Sequence, residues 1–164
     1  MDDVQSLVKS LGSSDVAQRR EAAQRLAQLE DAAQTAATAL VEACDEADED
    51  TREWVVAALE ALGRPPESQQ PRLIEQLGHP CALARYWAAT LLGRLEDRAG
   101  ENAVRQLAAS LEADDDAAVR QRAAWALGKV GPAAAAARDA LTKAAASSDS
   151  RLARLAAQAL ANLG

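Results

Sequence analysis

The chain has 164 residues, a length that suits one domain, and hydrophobic residues make up 49% of it while aromatics make up 2% and Phe is absent. That apolar mass of Ala, Leu and Val suits closely approaching helices and excludes a β-sandwich, which needs β-branched and aromatic residues. The formal charge of −7 argues against nucleic acid as a partner, because phosphate neutralisation dominates such binding.

The charge is unevenly divided. Residues 1–82 carry 7 Lys+Arg against 16 Asp+Glu, and residues 83–164 carry 11 against 9, so the C-terminal half remains a candidate anion-facing surface. Cys44 and Cys81 form no disulfide framework. Met1-Asp2-Asp3 opens without a basic or apolar leader, and no apolar run approaches the ~20 residues of a membrane span. Together these features read as a soluble, cytoplasmic protein.

Leu7, Leu40, Leu73, Leu107 and Leu141 recur at spacings of 33, 33, 34 and 34, marking five units that start near residues 2, 35, 67, 101 and 134. In the first unit Leu7, Val8 and Leu11 predict a short helix. Ser13-Ser14-Asp15 then caps a longer one carrying Ala22, Ala23, Leu26 and Leu29 on one face. The second unit repeats this around Leu40, with Asp48-Glu49-Asp50 before a helix through Leu59 and Leu62, closed by Gly63-Arg64-Pro65-Pro66. In the third, Leu73, Ile74 and Leu77 precede His79-Pro80 and a helix through Leu92 and Leu95. The fourth runs from Leu107 through Asp114-Asp115-Asp116 to Ala123, Ala124, Leu127 and Val130, with Gly131-Pro132 as its stop. The fifth places Leu141, then Ser147-Ser148-Asp149, then Leu160 and Leu163. Ten helices in five pairs follow, with no strand.

The string VRQRAAWALGKVGP from Val119 to Pro132, echoed by YWAATLLGRL near Tyr86 and REAAQRLAQL near Arg20, resembles the short HEAT-like repeats associated with phycobilin lyases. The resemblance implies an all-α fold, a right-handed α-α superhelix of five helix pairs forming one domain over 1–164. It also implies that the second helices line a concave surface. Most such proteins are adaptors or scaffolds, some attach or remove phycobilins, and a related HEAT-like group excises alkylated DNA bases. Fold alone does not choose among these.

Arg19, Arg52, Arg85 and Arg120 each lie seven residues before a second-helix leucine, on the buried side of the helix, where a guanidinium needs acceptors. Asp15, Asp48 and Asp116 lie four residues before Arg19, Arg52 and Arg120, and the resemblance implies that these Asp and Arg residues bond across neighbouring repeats. We read them as a structural ladder, weakened where Cys81 takes the Asp slot and where Ala153 takes the Arg slot. The acidic loop 45–50 lacks the central Gly of a calcium loop, His79 stands alone in a turn, and Cys44 occupies a core slot. No catalytic, metal or cofactor motif is present.

The aromatics carry more information. Trp54, Tyr86, Trp87 and Trp125 all fall in second helices, at roughly 120–220° from the core leucines on an ideal helical wheel. With Arg94 and Arg122 they predict an outward-facing row that binds a protein or peptide, since Trp, Tyr and Arg dominate interface hot spots. The competing functions are a phycobilin-handling protein or a DNA base glycosylase, and a third is a structural assembly role. Leu152, Leu155, Leu160 and Leu163 at the last repeat predict an apolar end, and with it end-to-end self-association or a longer array.

Overall fold

The computed structural model describes residues 3–164, so the expected start of the first repeat near residue 2 lies outside the described residues. Among the described residues there are ten α-helices and no strand. They are α1 (Val4–Leu11), α2 (Val16–Leu29), α3 (Ala37–Glu42), α4 (Glu49–Ala61), α5 (Gln70–Gln76), α6 (Ala82–Arg94), α7 (Gly100–Ala113), α8 (Ala117–Val130), α9 (Arg138–Ala145) and α10 (Ser150–Asn162). The five predicted pairs are therefore α1/α2 through α9/α10, with short 3₁₀ turns leading into most of the first helices.

The contacts gather into two bodies, 1–69 and 70–164. In the N-terminal body α2 packs on α1 and α4, and α3 closes over α4 and α1. Its core is Leu26, Leu40, Leu59 and Leu62 with Ala22, Ala23, Ala36 and Ala37, and Cys44 is buried among them. In the C-terminal body α8 lies between α6 and α10, with α5, α7 and α9 behind them. Leu73, Leu91, Leu92, Leu95, Leu107, Leu127 and Leu141 fill the space between the two layers.

Small side chains let the second helices approach closely. A Cβ added to Gly93 would lie 2.8 Å from Trp125 Cζ3 and 2.9 Å from both Cα and Cβ of Ala126, so α6 meets α8 backbone to backbone. Gly128 faces Ala159 of α10 less tightly, with the nearest approach at 3.2 Å. Gly93→Ala is thus expected to force the helices apart and to cost about 1–3 kcal/mol, as overpacking does, with Gly128→Ala costing less. Urea denaturation of the two variants checks both the size and the order.

Three helix ends show why the turns recur. Glu30 and Glu96 adopt φ of 48° and 54°, and Gly131, which occupies the same place in its repeat, adopts 69°. Only Gly131 takes this left-handed conformation without a side-chain penalty.

Candidate binding surface

The corner before each second helix follows one pattern. The side chain two residues before the N-cap accepts the N-cap's backbone N–H. Ser13 accepts from Asp15 (3.2 Å), Glu46 from Asp48 (2.9 Å), His79 Nδ1 from Cys81 (3.0 Å), Asp114 from Asp116 (2.9 Å) and Ser147 from Asp149 (3.1 Å). The ladder arginine braces that corner by donating Nη1 to the carbonyl six residues back. Arg19 reaches Ser13 (2.9 Å), Arg52 reaches Glu46 (3.1 Å), Arg85 reaches His79 (3.0 Å) and Arg120 reaches Asp114 (2.5 Å).

The acceptors across repeats differ from those expected. Arg19 forms a fork with Glu46 at 2.6 and 3.1 Å, not with Asp48. Arg85 forks with Asp114 at 2.8 and 2.9 Å and reaches Asp115 at 2.6 Å, not Asp116. The reason is that the N-cap carboxylates are turned onto first-turn N–H groups. Asp15 accepts from Ala17 (2.9 Å), Asp48 from Thr51 (2.9 Å) and Asp116 from Ala118 and Val119 (2.8 and 3.1 Å). A second rung starts one residue after the ladder arginine, where Arg20 reaches Asp48 at 3.0 Å and Gln121 reaches Asp149 at 2.8 Å. The Thr51 hydroxyl and N–H, together with Arg20, hold the Asp48 carboxyl down to about 2. Cys81 caps α6 without a side-chain bond, but the ladder is not weakened there as expected, because Arg85 of that repeat draws its acceptors from Asp114, Asp115 and the carbonyls of His79 and Pro80 instead.

The C-terminal body brings five of the six expected aromatic and cationic residues together. The Arg122 guanidinium lies 4.4 Å from the Tyr86 ring centroid and 4.8 Å from that of Trp125, and it donates to the Tyr86 hydroxyl. Lys129 sits 5.7 Å from the Trp125 ring. Arg94 covers Trp87 at 5.8 Å, and Tyr86 meets Trp87 edge to face at 5.6 Å. Burial, reinforced by the like charge of Arg151, pulls Arg122 below the ordinary arginine range. Trp54 belongs to the N-terminal body, where it is 37% exposed.

Trp87 departs from the expectation that every tryptophan faces outward, for it is only 5% exposed. Helical phase locates the partner behind a helix, but α6 packs against α8 at its side as well as α5 behind, and residues 87–93 are buried all round. Leu152 and Leu163, expected to be uncovered, are also each 5% exposed, because α9 and the 3₁₀ turn at Gly131–Ala137 close over α10.

Sequence reasoning missed two hollows on either side of Trp125. The first, of about 440 Å³, is floored by Gly128, Ala124 and Ala159, walled by Trp125 and Leu155, and rimmed by Lys129, Gln158 and Asn162. The second, of about 250 Å³, is lined by Tyr86, Gln121, Arg122, Trp125, Arg151 and Leu155. The signal for the first was in the repeat alignment. Gly93 and Gly128 are equivalent, Trp125 covers Gly93, and the residue equivalent to Trp125 in the last repeat is Gln158. A ring fills the one gap, and its absence opens the other.

No curated protein matches the chain. Among solved structures, an engineered protein is 26% identical, with a TM-score of 0.66, over 99% of this chain and 80% of that one. The complex of CpcE and CpcF of phycocyanin lyase from Nostoc sp. is 26% identical, with a TM-score of 0.65, and this chain covers it to 65% while matching over 99% of its own length. A designed armadillo repeat protein in complex with the peptide (KR)4 shares the fold at 18% identity and a TM-score of 0.67, over 98% of this chain and 82% of that one. The fold is therefore that of an all-helical repeat protein of the HEAT and armadillo type, typical of protein-interaction scaffolds. The HEAT repeats family model matches residues 70–161, more than half the sequence and every lining residue of the two hollows but Asn162, and the chain belongs to that family.

Proposed function

We propose that the chain is a non-catalytic module that binds a protein or peptide on the face formed by α6, α8 and α10. The observation that carries this reading is Trp125, a half-buried indole standing between two hollows within a cationic rim. Large aromatics flanked by concave surface and ringed by arginine are the material of interface hot spots. Tyr86 and Arg122 extend the contact. Trp87 supports Tyr86 from beneath, Arg94 covers Trp87, and exposed Trp54 offers a contact on the N-terminal body. The CpcE–CpcF complex and the peptide-bound armadillo design lend support, since both are repeat proteins with a macromolecular partner.

Trp125→Ala is expected to weaken partner binding by about 2 kcal/mol or more, roughly thirtyfold, as loss of a hot spot does. Quantitative affinity capture with wild-type and variant baits checks this. Arg151→Glu, at an exposed position, serves as a second variant with an undisturbed fold. Proteins captured equally by all three baits would overturn the reading. The likeness to phycocyanin lyase favours a pigment-handling role as the second reading. A visible absorption band on mixing the chain with phycocyanobilin, abolished by Trp125→Ala, would establish that role instead.

A further inference from the structure

Helices α6, α8 and α10 carry seven cations and no carboxylate. The cations are Arg85 and Arg94 on α6, Arg120, Arg122 and Lys129 on α8, and Arg151 and Arg154 on α10. This is a local reversal in a chain of net charge −7. The helices α2 and α4 of the N-terminal body mix both signs.

Arg85 is spent on Asp114 and Asp115, and Arg120 on the corner carbonyl of Asp114. Arg122, Arg151 and Lys129 have no carboxylate partner among the described residues. Among the described residues the Arg122 guanidinium lies over the rings of Tyr86 and Trp125 and donates to the Tyr86 hydroxyl, and the Lys129 ammonium lies over the Trp125 ring. The nearest acid of α10 is its N-cap Asp149, whose oxygens are taken by the N–H groups of Arg151 and Leu152 and by Gln121. The 250 Å³ hollow thus presents two guanidinium groups, one of them half-buried, with no internal anion to neutralise them. A desolvated cation held in place without a counter-ion gains most from a ligand that brings one.

The neighbouring 440 Å³ hollow has a different character. Its floor is Gly128, Ala124 and Ala159 and its walls are Trp125 and Leu155. Where α6 meets α8, the matching space over Gly93 is filled by the Trp125 indole. Over Gly128 that place falls to Gln158, so the space left has apolar walls suited to a ring. Both hollows share Trp125 and Leu155, so a single short segment spans them.

We propose that this face recognises an acidic peptide segment that carries an aromatic side chain. The carboxylate enters between Arg122 and Arg151, and the ring lies over Gly128 against Trp125. The inference rests on the binding-module reading above and adds the chemistry of the partner to it.

The test uses the full chain and acetylated, fluorescein-labelled peptides in physiological salt, read by fluorescence anisotropy. A peptide alternating Glu and Phe is expected to bind at least about ten times more tightly than the Gln–Phe, Glu–Ala and Lys–Phe versions, since charge and ring each contribute. Arg151→Gln is expected to weaken the Glu–Phe peptide about tenfold and to leave the Gln–Phe peptide unchanged. Gln158→Trp, which places a ring where α8 and α10 lack one, is expected to erase the preference for Phe over Ala. Equal binding of the Glu–Phe and Gln–Phe peptides, tighter binding of the Lys–Phe peptide, or no binding of any peptide would overturn the inference. Tighter binding of heparin or single-stranded DNA than of the Glu–Phe peptide would overturn it in favour of a polyanion surface. The binding-module reading fails on separate grounds, when natural partners are captured equally by wild type and Trp125→Ala.

Discussion

Trp87→Ala is expected to cost about 3–5 kcal/mol of stability, the largest loss of any single substitution on the aromatic cluster. The indole is 5% exposed, packs edge to face on Tyr86 and lies beneath Arg94. Its removal leaves a buried cavity the size of the ring. The same ring has a flaw, because its buried Nε1 has no hydrogen-bond partner among the described residues. Trp87→Phe removes that unpaired donor along with part of the ring volume, so its cost is expected to be well under half that of Trp87→Ala. Urea denaturation of the two variants measures both effects. A loss below about 1 kcal/mol for Trp87→Ala would return this residue to the exposed role that helical phase assigned to it.

The second large effect belongs to Arg85. Its fork holds Asp114, and the two side chains are 12% and 6% exposed. Arg85→Ala leaves Asp114 as a nearly buried carboxylate without a counter-ion, for an expected loss of about 3 kcal/mol at neutral pH. Arg85→Lys keeps the charge but not the fork, so it restores only part of the loss. Acidity provides an independent check. Burial raises the Asp114 carboxyl, but Arg85 and the Asp116 N–H outweigh it and leave it lowered. A carboxyl lowered on folding contributes stability above its unfolded pKa of about 3.9, and that stability drains away as pH falls through the folded value. Without Arg85 only the raising influence of burial and the weaker lowering bonds remain. The gap in melting temperature between wild type and Arg85→Ala is therefore expected to narrow from pH 6 down to about pH 2. A gap that stays constant would show that Asp114 is not the group responsible.

Both results bear on what the sequence discloses. The ten helices were legible because their information is local. Leucines at a steady phase and aspartates before four of the five second helices specify apolar stripes and caps without reference to any neighbour. The corner acceptors were harder to see. Ser13, Glu46, His79, Asp114 and Ser147 share a place in the repeat but not a residue type. Only their common capacity to accept a hydrogen bond connects them. The resemblance to HEAT-like repeats implies Asp48 and Asp116 as ladder partners, whereas the carboxylates that meet Arg19 and Arg85 are Glu46 and Asp114, just outside the next second helix. Trp87 shows the same limit, since a helical wheel describes one helix and says nothing of what stands beside it. For Trp125 the wheel was adequate, because Gln158 on the adjoining helix leaves one side of the indole uncovered.

The bracing of each corner bears on how quickly the chain orders itself. An arginine that grips a carbonyl six residues behind closes a very small loop, and a small loop loses little chain entropy in closing. Every second helix from α2 to α8 has such a clasp, so the bend and the first turn after it are assembled from neighbours in sequence. Contacts of short sequence separation favour rapid folding, and repeats of this kind permit nucleation at any one of them. Arg19, Arg52, Arg85 and Arg120 then act in time as well as in space, as starting points from which helices on either side extend.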